Sequence, residues 1–179
     1  MGLVLPYHQP WNIVEEIGML DHLTQGRLET GTAAGISQEM ARVGMSVEEA
    51  RERNDEAGDI LDAFLAEPVV THHGKYWHFD ELRLVPRPIQ RPAPPLWVTV
   101  VSDDSARKAA RRGAKICTGF HPLDRVVPIF DAYRDEAARG ENRVANRIYG
   151  QGIRRARTPA RVASRRAFAI APWPSVVIS

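Results

Sequence analysis

Three histidines stand close together in the sequence, and their spacing is the first feature that could support chemistry. His72, His73 and His78 flank a glycine in the stretch VVTHHGKYWHF. Imidazole nitrogens bind transition metals, and structural zinc sites in proteins have four ligands. The stretch offers no fourth ligand at a suitable spacing, so we predict no metal site. We identify no catalytic residue, and His121, before Pro122, is interpreted as a solvated loop residue rather than a base.

Several single residues leave a functional and a structural interpretation open. Ala34 and Gly35 follow a β-prone stretch, where small residues either let a ligand approach the backbone or form a plain turn. Arg51 has acidic neighbours and could be their surface partner at the i,i+4 spacing. Ser102 can cap a helix. Cys117, the only cysteine, lies in an apolar strand-like run and is predicted to be a buried small residue rather than a nucleophile.

Helices and strands that would position these residues alternate along the chain. An apolar stripe after Pro10 predicts a helix that ends at Gly26, and a capping box of Ser46 and Glu49 opens a second helix. Residues 69–95 hold a glycine-centred hairpin signal and then five prolines, which indicates an irregular excursion. The apolar runs LWVTVV and KICTGF predict two further strands, and each precedes a helical pattern.

The resulting order is β-α-β-α, the excursion, and then β-α-β-α. Such alternation favours an α/β fold with a parallel sheet covered by helices. Right-handed crossovers are compatible with an open doubly wound sheet or with an arc of a (β/α)8 barrel. The chain lacks a P-loop and a GxGxxG fingerprint, which disfavours nucleotide hydrolysis and nicotinamide chemistry.

The charge of the chain is divided unevenly. The net charge is +2 over 179 residues, yet residues 142–179 contain eight arginines and no acid, which leaves 16 basic against 22 acidic residues in 1–141. We predict a domain at 1–141 followed by a basic Arg-rich tail at 142–179 that is aberrant or disordered, and an out-of-frame reading of a GC-rich gene is one hypothesis for it. No leader or bilayer-spanning run is recognised, so a cytoplasmic location is expected.

Two long blocks of the chain together resemble the luciferase-like flavin-dependent monooxygenase family. They are LPYHQPWNIVEEIGMLDHLTQGRLETGTAAG and FDELRLVPRPIQRPAPPLWV, and the resemblance covers about residues 1–141. It implies a partial (β/α)8 TIM barrel, comprising about strands 3 to 6 with their helices. It also implies an enzyme that uses reduced flavin mononucleotide (FMN) and O2 to oxygenate a small organic substrate. Some members use the deazaflavin F420 instead, as oxidoreductases.

The resemblance also implies where the cofactor binds. It places the flavin near the small turn Ala33, Ala34 and Gly35, near Arg51, and near Val101, Ser102 and Ser105. The two serines align with hydroxyls that hold the flavin phosphate at a helix N-terminus, where free N–H groups favour an anion. The chain departs from the family at Ala34, where luciferase-type members have an arginine. Asp103 and Asp104 have two interpretations. Their carboxylates would repel a phosphate, or they are ordinary acids of a first helical turn, where the helix dipole favours negative charge.

The resemblance further implies a separate flavin reductase as partner and a homodimer through helix 11–23. Because counterparts of the first two and last two strands are not recognised, we expect weak or no flavin affinity for the chain alone. The alternatives are an F420-dependent oxidoreductase and a non-catalytic fragment or interaction subunit of the same fold. A nucleic-acid binder that uses the arginine tail is not favoured, since no aromatic interleaving supports it.

Overall fold

The computed structural model describes residues 2–119 and 121–139, so the predicted tail at 142–179 lies outside the described residues. Its elements in chain order are β1 (Gly2–Val4), a 3-10 turn (Leu5–Tyr7), α1 (Pro10–Leu23), β2 (Thr30–Ala33), α2 (Ser37–Arg42), α3 (Val47–Ala66), β3 (Val70–His73), β4 (His78–Leu82), β5 (Leu96–Thr99), α4 (Asp103–Arg111), β6 (Lys115–Cys117) and α5 (Leu123–Ala138). None of these helices is long and apolar enough to cross a membrane.

Four strands form a parallel sheet in the order β1-β2-β5-β6. In its register Gly31 pairs with Trp97, and Trp97 pairs with Lys115. A helix separates each strand from the next one in the sheet, as parallel pairing requires. This confirms the predicted α/β class, and the arrangement is an arc of a (β/α)8 barrel.

The core lies between the sheet and its helices. Ile13, Val14 and Ile17 of α1 are at most 4% exposed because their spacing places them on one helix face. Ile60, Leu61 and Phe64 of α3 are similarly buried. The same cluster includes Leu96, Val100 and Ile116 from the sheet. Burial of each of these large apolar side chains contributes about 1.5–3 kcal/mol to the stability of the fold.

Two local features differ from the sequence-based expectation. The short helix α2 was not predicted, because six residues carry too little periodicity to stand out. Only one of the two hydrogen bonds of a capping box is formed at the start of α3. Ser46 Oγ accepts a hydrogen bond from the Glu49 N–H at 3.0 Å, but the Glu49 carboxylate pairs with Arg53 Nε at 2.8 Å instead of returning to the cap.

The predicted excursion is an antiparallel hairpin of β3 and β4 followed by a proline-rich segment, as expected. Glu56 of α3 anchors the hairpin turn. Its carboxylate accepts hydrogen bonds from the backbone N–H groups of Lys75, Tyr76 and Trp77 at 2.9–3.2 Å. The hairpin therefore packs against α3.

Candidate functional site

The carboxyl ends of the parallel strands form one rim of the molecule. Thr32 of β2 pairs with Val98 of β5, so the residues that follow the two strands leave the sheet side by side. Neighbouring strands lie about 4.8 Å apart. The turn Ala33–Gly35 and the segment Val101–Ser102 are therefore neighbours. In parallel α/β folds this edge is where ligands bind.

Gly35 lets the backbone pass closely over the neighbouring strand end at this rim. Its φ of +88° is in the region that favours glycine, and a Cβ there would lie 2.9 Å from Val4 Cγ1 and 3.1 Å from the Tyr7 hydroxyl. The buried Tyr7 hydroxyl has no hydrogen-bond partner within the described residues. Ala33 and Ala34 are half-buried and add no bulk to this surface.

The N-terminus of α4 lies at the same rim, immediately after β5. Ser102 Oγ accepts from the Ser105 N–H at 3.3 Å, and Ser105 Oγ accepts from the Ser102 N–H at 3.0 Å, so the two serines form a complete capping box. Within the described part of the chain, the N–H groups of Asp103 and Asp104 find no acceptor. These two donors and the positive end of the helix dipole suit an anion.

The serine hydroxyls are occupied within the cap. The Ser105 Oγ donates to the Ser102 carbonyl oxygen at 2.8 Å, and it also accepts from the Val101 N–H at 3.2 Å. A bound anion would thus meet the backbone N–H groups before it meets the hydroxyls. The Asp104 carboxylate lies 3.8 Å from Lys108 Nζ, which offsets part of its repulsion toward an anion.

Arg51 lies on the first turns of α3, on the side turned toward α4. Its i+4 neighbour Asp55 pairs with Lys108 of α4 at 3.0 Å, and residues four apart share a helix face. Arg51 is exposed and makes no hydrogen bond or ion pair within residues 2–119 and 121–139. The proposed surface pairing with its acidic neighbours is therefore not seen among those residues, and the guanidinium is available.

The face of the sheet that the helices leave uncovered carries a polar layer. Trp97 Nε1 donates to Glu29 Oε2 at 2.5 Å, and Lys115 Nζ donates to Glu29 Oε1 at 3.0 Å. Lys115 Nζ also lies 4.9 Å from the centre of the Trp97 ring. Nearer the rim, Thr99 Oγ1 lies 3.5 Å from Cys117 Sγ. In a closed barrel this face would line the interior below the site.

The prediction that Cys117 is buried was wrong, because the residue is exposed. Its neighbour Ile116 points to the helix side and is buried, and side chains alternate along a strand. Cys117 therefore points to the uncovered face. The sequence did hold a signal for this face, because the charged Lys115 lies two residues before Cys117 and so points to the same side of the strand. The polar residues Thr99 and Glu29 of the same face were also missed.

The hydrogen bond from Trp97, followed by that from Lys115, holds the pKa of Glu29 below its usual range. Replacement of Trp97 by phenylalanine removes the larger of these contributions, so we expect the Glu29 pKa to rise toward its ordinary value. Carboxyl 13C chemical shifts followed from pH 2 to 7 would measure this change. Replacement of Tyr76, which contacts Glu52 instead, should leave the Glu29 titration unchanged. An unaltered Glu29 titration in the Trp97→Phe variant would contradict the assigned cause.

The chain matches the family model of luciferase-like monooxygenases over residues 1–175. It is similar to the oxygenase component of the flavin-dependent trigonelline monooxygenase of Acinetobacter baylyi, with 31% identity over 70% of this chain and 36% of that protein. The solved monooxygenase RslO1 of Streptomyces bottropensis has 28% identity and a TM-score of 0.72, over 77% of this chain and 43% of that chain.

A second similar structure is the oxygenating constituent of 3,6-diketocamphane monooxygenase from Pseudomonas putida, in complex with FMN. It has 25% identity and a TM-score of 0.66, over 78% of this chain and 42% of that chain. The chain spans 34% to 39% of the length of three curated relatives it matches. The family match extends past residue 141, where the resemblance seen in the sequence ends. A match over nearly the whole chain, together with the shared barrel arc, shows that the chain belongs to the luciferase-like monooxygenase family.

Proposed function

We propose that this chain carries the phosphate-binding side of a flavin site and serves a flavin-dependent monooxygenase reaction. The observation that carries the proposal is the position of the α4 N-terminus beside the Ala33–Gly35 turn, with two N–H groups that have no acceptor among the described residues. FMN ends in a phosphate, which suits this pair of donors.

Three groups at the rim would bind the phosphate end of FMN. The N–H groups of Asp103 and Asp104 would donate to it. Arg51 would add a charge-assisted hydrogen bond, in place of the arginine that luciferase-type members have at the position of Ala34. The small Ala33–Gly35 turn would let the rest of the flavin approach the backbone. Bound flavin would supply the redox chemistry with O2, and these residues of the chain would hold its phosphate end in place.

The uncovered face of the sheet would take the substrate side of the site. Thr99 and Cys117 lie on it nearest the rim, and Trp97 lies one layer below. A hydroxyl, a thiol and an indole suit a small organic substrate with few charges. As the relative from Acinetobacter baylyi is an oxygenase component, we propose that a separate flavin reductase supplies the reduced flavin. The homodimer through helix 11–23 and the location in the cytoplasm stay predictions.

Comparison of FMN with riboflavin tests the phosphate contact. The two ligands share the ring system and differ by the phosphate, so FMN should shift the backbone amide signals of Asp103 and Asp104 in a 15N–1H NMR titration more than riboflavin does. Such a titration also detects the weak affinity that we expect. A parallel titration with F420 shows which of the two cofactors the chain binds more tightly. Equal amide shifts with FMN and riboflavin would refute the phosphate contact at α4.

Arg51→Ala should weaken FMN binding about tenfold or more and leave riboflavin binding unchanged, since a hydrogen bond to a charged group contributes about 1.5–3 kcal/mol. Arg83→Ala is the matched control, because Arg83 is also exposed and lies beyond the hairpin. If both variants bind FMN as the unmodified protein does, Arg51 is not a phosphate ligand.

A further inference from the structure

Two histidines face each other across the hairpin of β3 and β4. His73 pairs directly with His78 in the antiparallel register. Their rings are stacked with centroids 4.0 Å apart and an interplanar angle of 8°. Both residues are exposed. Two imidazoles are thus held side by side at the surface by the backbone pairing rather than by core packing.

Asp80 completes a cluster of three potential ligands. It lies two residues after His78 and therefore projects from the same side of the strand. Its Oδ1 is 2.7 Å from His73 Nε2. One ligand atom from each of His73, His78 and Asp80 can be chosen so that all three lie within 4.8 Å of one another.

The backbone departs from regular strand geometry next to this cluster. The register shifts between Val70 and His72, so Asp80 and Glu81 together oppose Thr71. Glu81 has a φ of +46°, which a residue with a side chain rarely adopts, and its N–H donates to Thr71 Oγ1 at 2.9 Å. Such bulges redirect side chains and occur next to functional sites. Here the bulge accompanies the approach of Asp80 to His73.

We propose that His73, His78 and Asp80 bind one divalent transition-metal ion, with Zn²⁺ as the representative probe. Two imidazoles and one carboxylate are a ligand set that zinc accepts, and three protein ligands leave a fourth position for water or a small ligand. Zinc at its usual bond lengths of 2.0–2.2 Å needs ligand atoms about 3.4 Å apart. The exposed side chains can reach this spacing by rotation, without movement of the core.

This proposal revises the sequence-based expectation of no metal at the hairpin. That expectation required a fourth ligand and included His72, whose Nε2 instead contacts Glu56 Oε1 at 3.0 Å. Asp80 was not considered because its approach to His73 depends on the strand pairing and the bulge. The site shares no residue with the proposed flavin site, so either proposal can fail while the other stands.

Isothermal titration of the full-length, tag-free chain with Zn²⁺ tests the proposal. We expect one Zn²⁺ per chain, and at least a tenfold loss of affinity in the double variant His73→Asn/His78→Asn. Asp80→Asn should lose at least about tenfold in Zn²⁺ affinity as well, because loss of even an outer-shell partner of a ligand costs about 10–100-fold. His121→Asn is the matched control, since His121 is exposed and far along the chain from the hairpin, and it should bind as the unmodified protein does.

A spectroscopic measurement identifies the ligands independently of affinity. Co²⁺ in place of Zn²⁺ should give a visible absorption band that the double variant lacks and the His121→Asn variant keeps. Because all three side chains are exposed, the variants should fold, and far-ultraviolet circular dichroism would check this. Absence of Zn²⁺ binding to the unmodified chain, or equal binding by the folded double variant, would overturn the proposal.

Discussion

Replacement of Gly18 by alanine should lower the free energy of unfolding by at least about 2 kcal/mol. Gly18 lies inside α1, where alanine in place of glycine normally stabilises a helix by about 0.5–1 kcal/mol. Here a Cβ would overlap the carbonyl oxygen of Pro86 and lie 2.8 Å from its carbonyl carbon. These are backbone atoms and cannot turn aside as a flexible side chain can. The steric cost therefore exceeds the gain in helix propensity.

Urea denaturation of Gly18→Ala and of Glu16→Ala measures this effect against a matched control. Glu16 lies on the exposed side of the same helix, so its replacement should change the free energy of unfolding by no more than about 0.5 kcal/mol. If Gly18→Ala were as stable as the unmodified protein or more so, the close approach of α1 to Pro86 would be disproved.

The order of helices and strands could be predicted because local chemistry encodes it. Pro10 begins α1, Gly26 follows its end with a φ of +73°, and the apolar run from Leu96 forms a central strand. Each of these signals acts within a few residues. The parallel pairing then follows from the alternation of strands and helices.

The faces of the sheet could not be predicted in the same way. Leu96, Trp97 and Val98 are all apolar, so the sequence gives no alternation to tell which side chain points toward the helices. The structure places Trp97 on the uncovered face with Lys115 and Glu29. Cys117 is a different case, since the charged Lys115 two residues earlier lies on the same face and indicates its exposure.

Contacts between distant segments are the other part that local patterns do not encode. The approach of Asp80 to His73 depends on the pairing of two strands and on a bulge. The position of Arg51 toward the rim depends on the contact between Asp55 and Lys108, 53 residues apart. Single motifs cannot tell which distant residues come together. The resemblance to the family could, because it named residues that follow two different strands, Ala33–Gly35 after β2 and Val101–Ser102 after β5.

Replacement of Asp21 by alanine should destabilise the protein by about 3 kcal/mol. Asp21 is fully buried at the end of α1. Its Oδ2 accepts from the Gln90 backbone N–H at 2.8 Å, and its Oδ1 accepts from Gln90 Nε2 at 2.7 Å. Loss of the carboxylate leaves the backbone N–H without its acceptor, while Gln90 Nε2 keeps its bond to the Leu28 carbonyl oxygen at 2.8 Å.

Three variants separate the loss of these hydrogen bonds from a general effect of removing an acid. Asp135→Ala removes an exposed carboxylate from α5 and should change the free energy of unfolding by no more than about 0.5 kcal/mol. Asp21→Asn keeps one oxygen acceptor but turns an NH2 group toward a donor, so its stability should lie between those of Asp21→Ala and the unmodified protein. Hydrogen exchange at the Gln90 amide should accelerate in Asp21→Ala more than global unfolding accounts for. If that amide stayed as protected as before, Asp21 would not be what attaches the proline-rich segment to the end of α1.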